Sequence, residues 1–400
     1  MKKRSLLLSG LMLAGVTNAY ALPYGFSDAR SVAMGNVSVA TGGVTTAAFS
    51  NPAMLMVNET DDSFALHVGV GAAFIEDGDI TDDIDEFQAL EDQLNAIDDS
   101  NPANAEALLD VLNAQILTLN NLSGDSLVGR ASPNFALVYG GDSFSVAVTA
   151  EGNAYASGAI SNISGATTLT LPDVQADLID GNLDFNPTAD LQAVGVITTE
   201  LGISIASDFS LLGMDVSVGV RPKVISAEAI AFSDTISAVD TADIIDDTAQ
   251  DLGSFTTIDA GAVISFTDSL RMGLVAKNLI SETLTVNANG ANHEIDFDTQ
   301  LRVGVAYNNS FMTIAADMDL TETDPILVED PTKMLALGIE FNAFDFAQIR
   351  AGYQTNMASG ATAEDLLSVG VGLWLGFNLD VAAVASESSI GAFVQTGFRF

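Results

Sequence analysis

Cysteine is absent from this 400-residue chain, and histidine occurs only as His67 and His293. The first absence excludes a disulfide scaffold, a thiol nucleophile and a CxxC redox motif. Zinc is usually held by Cys and His, so two histidines far apart in sequence argue against a zinc centre. Basic residues are scarce too: 13 Lys and Arg stand against 53 Asp and Glu, for a net charge of −40. Nucleic-acid binding needs a basic surface, and the acid excess speaks against it. The same excess suits loops exposed to a salty medium. A long apolar run is missing as well. Leu6 to Val16 is about eleven residues, short of the ~20 that cross a bilayer as a helix. If the chain sits in a membrane, it does so as a closed barrel of strands.

The short apolar run follows Lys2-Lys3-Arg4 and precedes Ala19-Tyr20-Ala21, an A-x-A cleavage site. Residues 1–21 therefore read as a signal peptide cleaved after Ala21, with the mature chain starting at Leu22. Its loss removes three basic residues and no acid, taking the net charge from −40 to −43. No G-x-S-x-G elbow, phosphate loop or paired-His motif is present. A barrel-embedded hydrolase would need a Ser with a His partner, whereas a lumen histidine is more often a hydrogen-bonding member of the wall. The expectation is no enzyme, no catalytic residue, no metal and no cofactor.

What the chain does have is alternation. In the last stretch Ala392, Val394, Thr396, Phe398 and Phe400 form one face, and Phe393, Gln395, Gly397 and Arg399 the other. Period two puts alternate side chains on opposite sides of a strand. Apolar-out and polar-in is the pattern of a transmembrane barrel strand. The pattern returns at Phe64–Phe74, Phe144–Val148, Met214–Val220, Leu301–Tyr307, Leu335–Phe341 and Val369–Phe377. About fourteen such segments lie near 62–76, 132–141, 142–155, 190–207, 212–228, 255–267, 268–285, 294–308, 309–320, 332–344, 345–357, 364–376, 378–386 and 390–400. Short connections alternate with long ones, as periplasmic turns alternate with extracellular loops. The regions 156–189 and 229–254 leave the count open. Within the longest connection, Ile84, Phe87, Leu90, Leu94 and Ile97 follow helical spacing, as do Leu108, Leu112, Ile116 and Leu119. Between them Asn101 is placed to cap and Pro102 to open the second helix. Asp77-Gly78-Asp79 and Asp82-Asp83 resemble calcium loops without the EF-hand spacing. The expected fold is all-β: a transmembrane outer-membrane β-barrel of about fourteen antiparallel strands, with an N-terminal plug at 22–58, a barrel at 59–400 and an acidic helical hairpin in the first extracellular loop, 77–131.

The plug segment carries a family signature. Ala29-Arg30 and Ala33-Met34-Gly35, then Val39-Ala40, Ala47-Ala48 and Asn51-Pro52-Ala53-Met54-Leu55, resemble the amino-terminal plug of the FadL-like outer-membrane hydrocarbon transporters. Together with the opening Leu22–Arg30 they are most similar to the branch of TraF-like outer-membrane proteins linked to conjugal transfer. The terminal Phe400 is similar to the sorting signal of outer-membrane barrels. The resemblance implies a Gram-negative outer membrane, contact with its lipid and lipopolysaccharide, and recognition of Phe400 by the barrel-assembly machinery. It also matches the count of fourteen.

If the apolar faces meet lipid, the charges point inward: Glu151, Glu200, Asp215, Arg221, Lys223, Asp259, Arg271, Lys277, Arg302, Asp317, Glu340 and Arg350. A charge against acyl chains costs a few kcal/mol, so inward is the cheaper assignment. The bland role is a salt-bridge network that locks plug to wall. The sharper one is a set of plug and lumen residues, Arg30, Asn51, Pro52, Ala53, Arg221, Arg302 and Arg350, that binds a hydrophobic small molecule such as a long-chain fatty acid, a cation taking its carboxylate. Two functions stay open: passive uptake of hydrophobic molecules, and a non-transporting role in conjugal transfer or envelope assembly. An open porin is disfavoured, because the plug would occlude the bore.

Overall fold

The computed structural model describes the chain from Ala19 to Phe400 except residues 22–27, 58–62, 78–79, 99–100, 124, 181–184, 186, 239–248, 289–290, 324–330, 345, 360, 362–364 and 388. Most of the expected signal peptide, the mature start at Leu22 and the Gly78-Asp79 pair lie outside the described residues. Asp82 and Asp83 fall in the first turn of a helix.

Period-two patterning closes here into a barrel of fourteen antiparallel strands. They are β1 Phe64–Asp77, β2 in two pieces, Ser126–Ala131 and Asn134–Gly140, β3 Phe144–Ser164, β4 Thr188–Leu211, β5 Met214–Thr235, β6 Ala249–Ser265 and β7 Leu270–Lys277. The others are β8 Gln300–Asn308, β9 Met312–Asp319, β10 Met334–Phe344, β11 Ala347–Asn356, β12 Leu366–Trp374, β13 Asn378–Ala385 and β14 Ser389–Arg399. The seam joins β14 to β1, from Ser389↔Ile75 to Arg399↔Ala65. Beyond it, the Phe64 N–H donates to the Phe400 carbonyl (2.9 Å) and the Phe400 N–H to the Phe64 carbonyl (3.0 Å).

The outer face is an apolar belt of residues such as Val68, Val70, Leu137, Val148, Leu201 and Ile203, all exposed. No water competes for backbone groups in hydrocarbon, and a closed ladder leaves no edge unpaired. At the short-turn end the rings of Phe400, Phe64, Tyr139 and Phe144 follow one another across four strands, with centroids 6.0, 5.3 and 6.1 Å apart. Such rings sit at the membrane–water boundary of barrels. Strands β3 to β5 are 21, 24 and 22 residues long against 8 to 11 for β7 to β14. A membrane strand needs about 9–11 residues, so the long strands rise beyond the belt on the loop side.

Three helices cap that side: α3 Ile80–Ala96 and α4 Ala105–Asn121, the expected hairpin, and α5 Leu171–Asp180, which lay in the unassigned stretch 156–189. The Asn101 side chain accepts from the Ala103 N–H (3.1 Å) where Pro102 opens the turn into α4. Leu108, Leu112 and Ile116 of α4 bury against Leu169, Val174 and Leu178.

One expectation is corrected. The segments 268–285 and 294–308 were each expected to be a single wall strand. They contain β7 and β8, but Glu282–Ala288 and Ala291–Phe297 pair with each other as a separate hairpin. Its Val286, Ile295 and Phe297 pack on Val194, Val196, Ile225, Ala227 and Tyr155, which face the lumen. The alternation is genuine, but its apolar face meets the inside of the taller wall instead of lipid. Period two cannot distinguish those two destinations. Ala19–Ala21 adds a short parallel strand to this hairpin.

The lumen below the hairpin is filled by the plug: α1 Ala29–Ala33, α2 Ala47–Ser50 and a 3₁₀ turn, Pro52–Met56. Asp28 caps α1 by accepting from the Ser31 N–H (2.9 Å), and Asn51 caps the 3₁₀ turn by accepting from the Ala53 N–H (3.1 Å). Phe49, Met54 and Leu55 bury against small wall residues, Ala65, Ala136, Ala147 and Ala206.

Candidate functional site: plug seat and lumen cavities

Backbone contact seats the plug first. A Cβ on Gly219 would stand 2.4 Å from the Pro52 carbonyl carbon, and one on Gly352 1.9 Å from the Gly35 nitrogen. Only glycine lets the wall lie this close to another backbone.

Ion pairs fix the seat. Arg30 grips Glu340 through Nε (2.9 Å) and Nη2 (3.0 Å), and its Nη1 donates to the Thr41 carbonyl. Arg350 bridges Glu340 (2.6 Å) and Asp380 (2.5 Å). Gln395 donates to Asp380 (2.9 Å) and accepts from the Ala29 N–H (2.8 Å). Arg302 forks onto Asp319 (2.5 and 3.1 Å), and Asp317 accepts from the N–H groups of Ser38 (2.7 Å) and Val39 (2.9 Å). Arg221, 1% exposed, stands within 3.6 Å of Glu151 and Asp259, and its guanidinium lies 5.8 Å from the Phe49 ring centroid. Lys223 pairs with Glu200 (2.9 Å) and Asp259 (3.2 Å). His67 meets Asn134 (Nε2···Oδ1 2.6 Å) in the wall, and His293 falls in the inner hairpin.

The expected site residues thus separate. Arg30 and Arg350 line one cavity at the turn end. Asn51, Pro52, Ala53, Arg221 and Arg302 are packed or paired at the seat and line none of the three spaces described here.

A second cavity, about 90 Å³, lies under the inner hairpin. Its apolar lining is Ala73, Ala154, Tyr155, Phe297 and Phe393, and its polar lining includes Arg130, Glu151, Glu200, Lys223 and Lys277. Gly71 makes room for Phe393: a Cβ there would fall 1.6 Å from the ring. This cavity abuts the break in β2 at Ser132-Pro133. Pro133 has no N–H to give the ladder. The Ser132 N–H still donates to the Gly71 carbonyl (2.9 Å), and the Gly152 N–H to the Pro133 carbonyl (2.8 Å). Outside the wall at the same point is a groove of about 690 Å³ lined by Val68, Val70, Pro133, Phe135 and Val394. Glu151 lines both the cavity and the groove.

Among the residues that bound this cavity, Arg130, Tyr155, Phe297 and Phe393 were not singled out from the sequence. Pro133 was the available signal, since proline inside a strand marks an edge or an irregularity.

No curated protein matches the chain. Solved structures do match its shape. The toluene transporter TbuX of Ralstonia pickettii aligns with a TM-score of 0.52 at 13% identity, over 93% of this chain and 98% of that one. The toluene transporter TodX of P. putida gives 0.52 at 12%, over 94% and 99%, and a FadL homologue of Pseudomonas aeruginosa 0.52 at 11%, over 95% and 99%. Identities this low show a shared FadL-like fold. The family described as "F plasmid transfer operon, TraF, protein" matches residues 48–319, more than half of the sequence, and the chain belongs to that family.

Proposed function

We propose that this chain is a FadL-like outer-membrane channel for passive uptake of hydrophobic small molecules, and that they cross the wall sideways at the β2 break. One observation carries the reading. The bore is plugged, yet a cavity on its inner side and an apolar groove on its lipid side meet at Glu151, beside Pro133. The solved barrels of this shape include proteins named as toluene transporters and a FadL homologue, so both a monoaromatic hydrocarbon and a long-chain fatty acid are sensible first substrates. Outer-membrane lipid and lipopolysaccharide would surround the belt, and the barrel-assembly machinery would read Phe400.

The test is uptake of labelled toluene and labelled oleate by cells that lack their own transporters, with and without this protein. Uptake that depends on the protein supports the reading. No uptake of either, with the barrel shown to be folded in the outer membrane, overturns it for these substrates. The family match supports a second reading, a non-transporting component of conjugal transfer or envelope assembly. It expects a lower mating frequency on deletion of the gene, and equal mating with and without it removes that reading.

A further inference from the structure

Phe393 breaks the pattern of its own strand. The inward face of β14 is otherwise small or polar, as at Gly391, Gln395, Gly397 and Arg399. Phe393 is 5% exposed, and its ring has no polar atom to offer a wet lumen, so it belongs in an apolar space. The wall and the plug make that space. Directly opposite on β1 stands Gly71, where a Cβ would fall 1.6 and 2.1 Å from two ring carbons. On the other flank the partner is Ala382 of β13. From the plug, Ala29, Val32 and Ala33 of α1 join the same apolar cluster. The ring therefore has wall and plug behind it and the cavity under the inner hairpin before it.

That cavity is about 90 Å³. An apolar cavity of about 150 Å³ takes up one benzene, so a space of this size encloses about one ring and no long alkyl chain. A group that does not fit must displace packed neighbours, and a hydrophobic pocket discriminates by roughly 10- to 200-fold for a single methylene. Gly71 also ties this lining to the break in β2, because its carbonyl accepts the Ser132 N–H (2.9 Å). We propose that Phe393 sets the size of substrate on this route: seated on Gly71, it restricts the cavity to compact apolar molecules of about one ring and turns away fused rings and long chains. The inference deepens the uptake reading and rests on it.

Binding is measured on the mature full-length protein in nanodiscs with radiolabelled toluene, naphthalene and oleate. Unlabelled competitor separates saturable binding from partition into lipid. The wild type should hold toluene at least about tenfold more tightly than naphthalene, and oleate should not compete for the site. Phe393→Ala removes the ring and should abolish that preference, with naphthalene gaining about tenfold or more. Phe393→Leu should fall between the two. Val369→Ala, on the exposed face of β12, should change neither. A ring with only a structural role would alter stability and leave the order of the ligands as it is. Variants are compared where their conductance in planar bilayers matches wild type, which checks that the plug is seated. If Phe393→Ala does not fold, Ala73→Leu carries the test: it narrows the cavity from β1 and should weaken toluene about tenfold or more. The same order of ligands in wild type and variants overturns the proposal. So does a wild type that binds naphthalene as tightly as toluene, or that binds neither. Uptake of the three molecules by cells separates this inference from the reading beneath it. A binding order that shifts as expected with no uptake of any of them removes the transport reading and leaves Phe393 as the size limit of a binding cavity.

Discussion

Arg302 is 1% exposed, and its guanidinium forks onto the nearly buried carboxylate of Asp319. Removing one partner of a buried pair strands the other, at a cost of about 3–5 kcal/mol. Arg302→Ala should therefore lower the urea midpoint of barrel unfolding, and the added Asp319→Ala should restore part of the loss. Gly352 predicts a different failure. A Cβ there would stand 1.9 Å from the Gly35 nitrogen, so adding one forces wall or plug backbone to shift. Gly352→Ala should keep the β circular dichroism of the barrel and raise its conductance in planar bilayers, because the plug no longer seats. Unchanged conductance would mean that the seat tolerates the methyl. The inward direction of Arg221, Arg302 and Arg350 was legible from period two. The contact of the plug with that wall was not, because Arg30 meets Glu340 across 310 positions of sequence and no local pattern encodes that meeting.

The β2 break makes the proposed lateral route testable through one side chain. Pro133→Val restores an N–H to the ladder, and uptake should fall several-fold while the protein still folds. A rate equal to wild type would place the route elsewhere. The helical cap offers a check that does not involve the wall. At the start of α5 the Asp173 carboxylate reaches back and accepts from the Thr170 N–H (2.9 Å) and from the Thr170 hydroxyl, one half of a capping box. The Thr170 hydroxyl, then its N–H, hold the Asp173 pKa below the ordinary carboxylate value. With a lowered folded pKa, the cap's contribution is present above the unfolded pKa and is lost as pH falls through the folded one. Hydrogen exchange at the α5 amides should accelerate relative to α4 as that point is passed, and Asp173→Ala should abolish the difference. The hairpin of α3 and α4 was readable because Asn101-Pro102 breaks two runs of helical spacing. The inner hairpin was not, since Leu284, Val286, Ile295 and Phe297 alternate as a lipid-facing strand would.

Taken whole, the barrel turns the apolar faces of its strands outward and their charged side chains such as Arg221, Arg302 and Glu340 inward, and both follow from the solvent on each side of the wall. Lipid cannot satisfy a carboxylate, and the plug can. The count of fourteen was readable because each crossing repeats one pattern; the wall's uneven height was not, because β3 to β5 continue the pattern past the membrane boundary without a break. The seam between Phe64 and Phe400 has a consequence for biogenesis. The first wall strand to leave the ribosome pairs with the last, so the contact of longest sequence separation is also the one that closes the structure. High contact order of this kind slows folding. Until β14 emerges, β1 travels with a bare hydrogen-bonding edge, a template for aggregation. A message truncated before the final strand would yield a polypeptide with nearly all of its sequence and no means of closure.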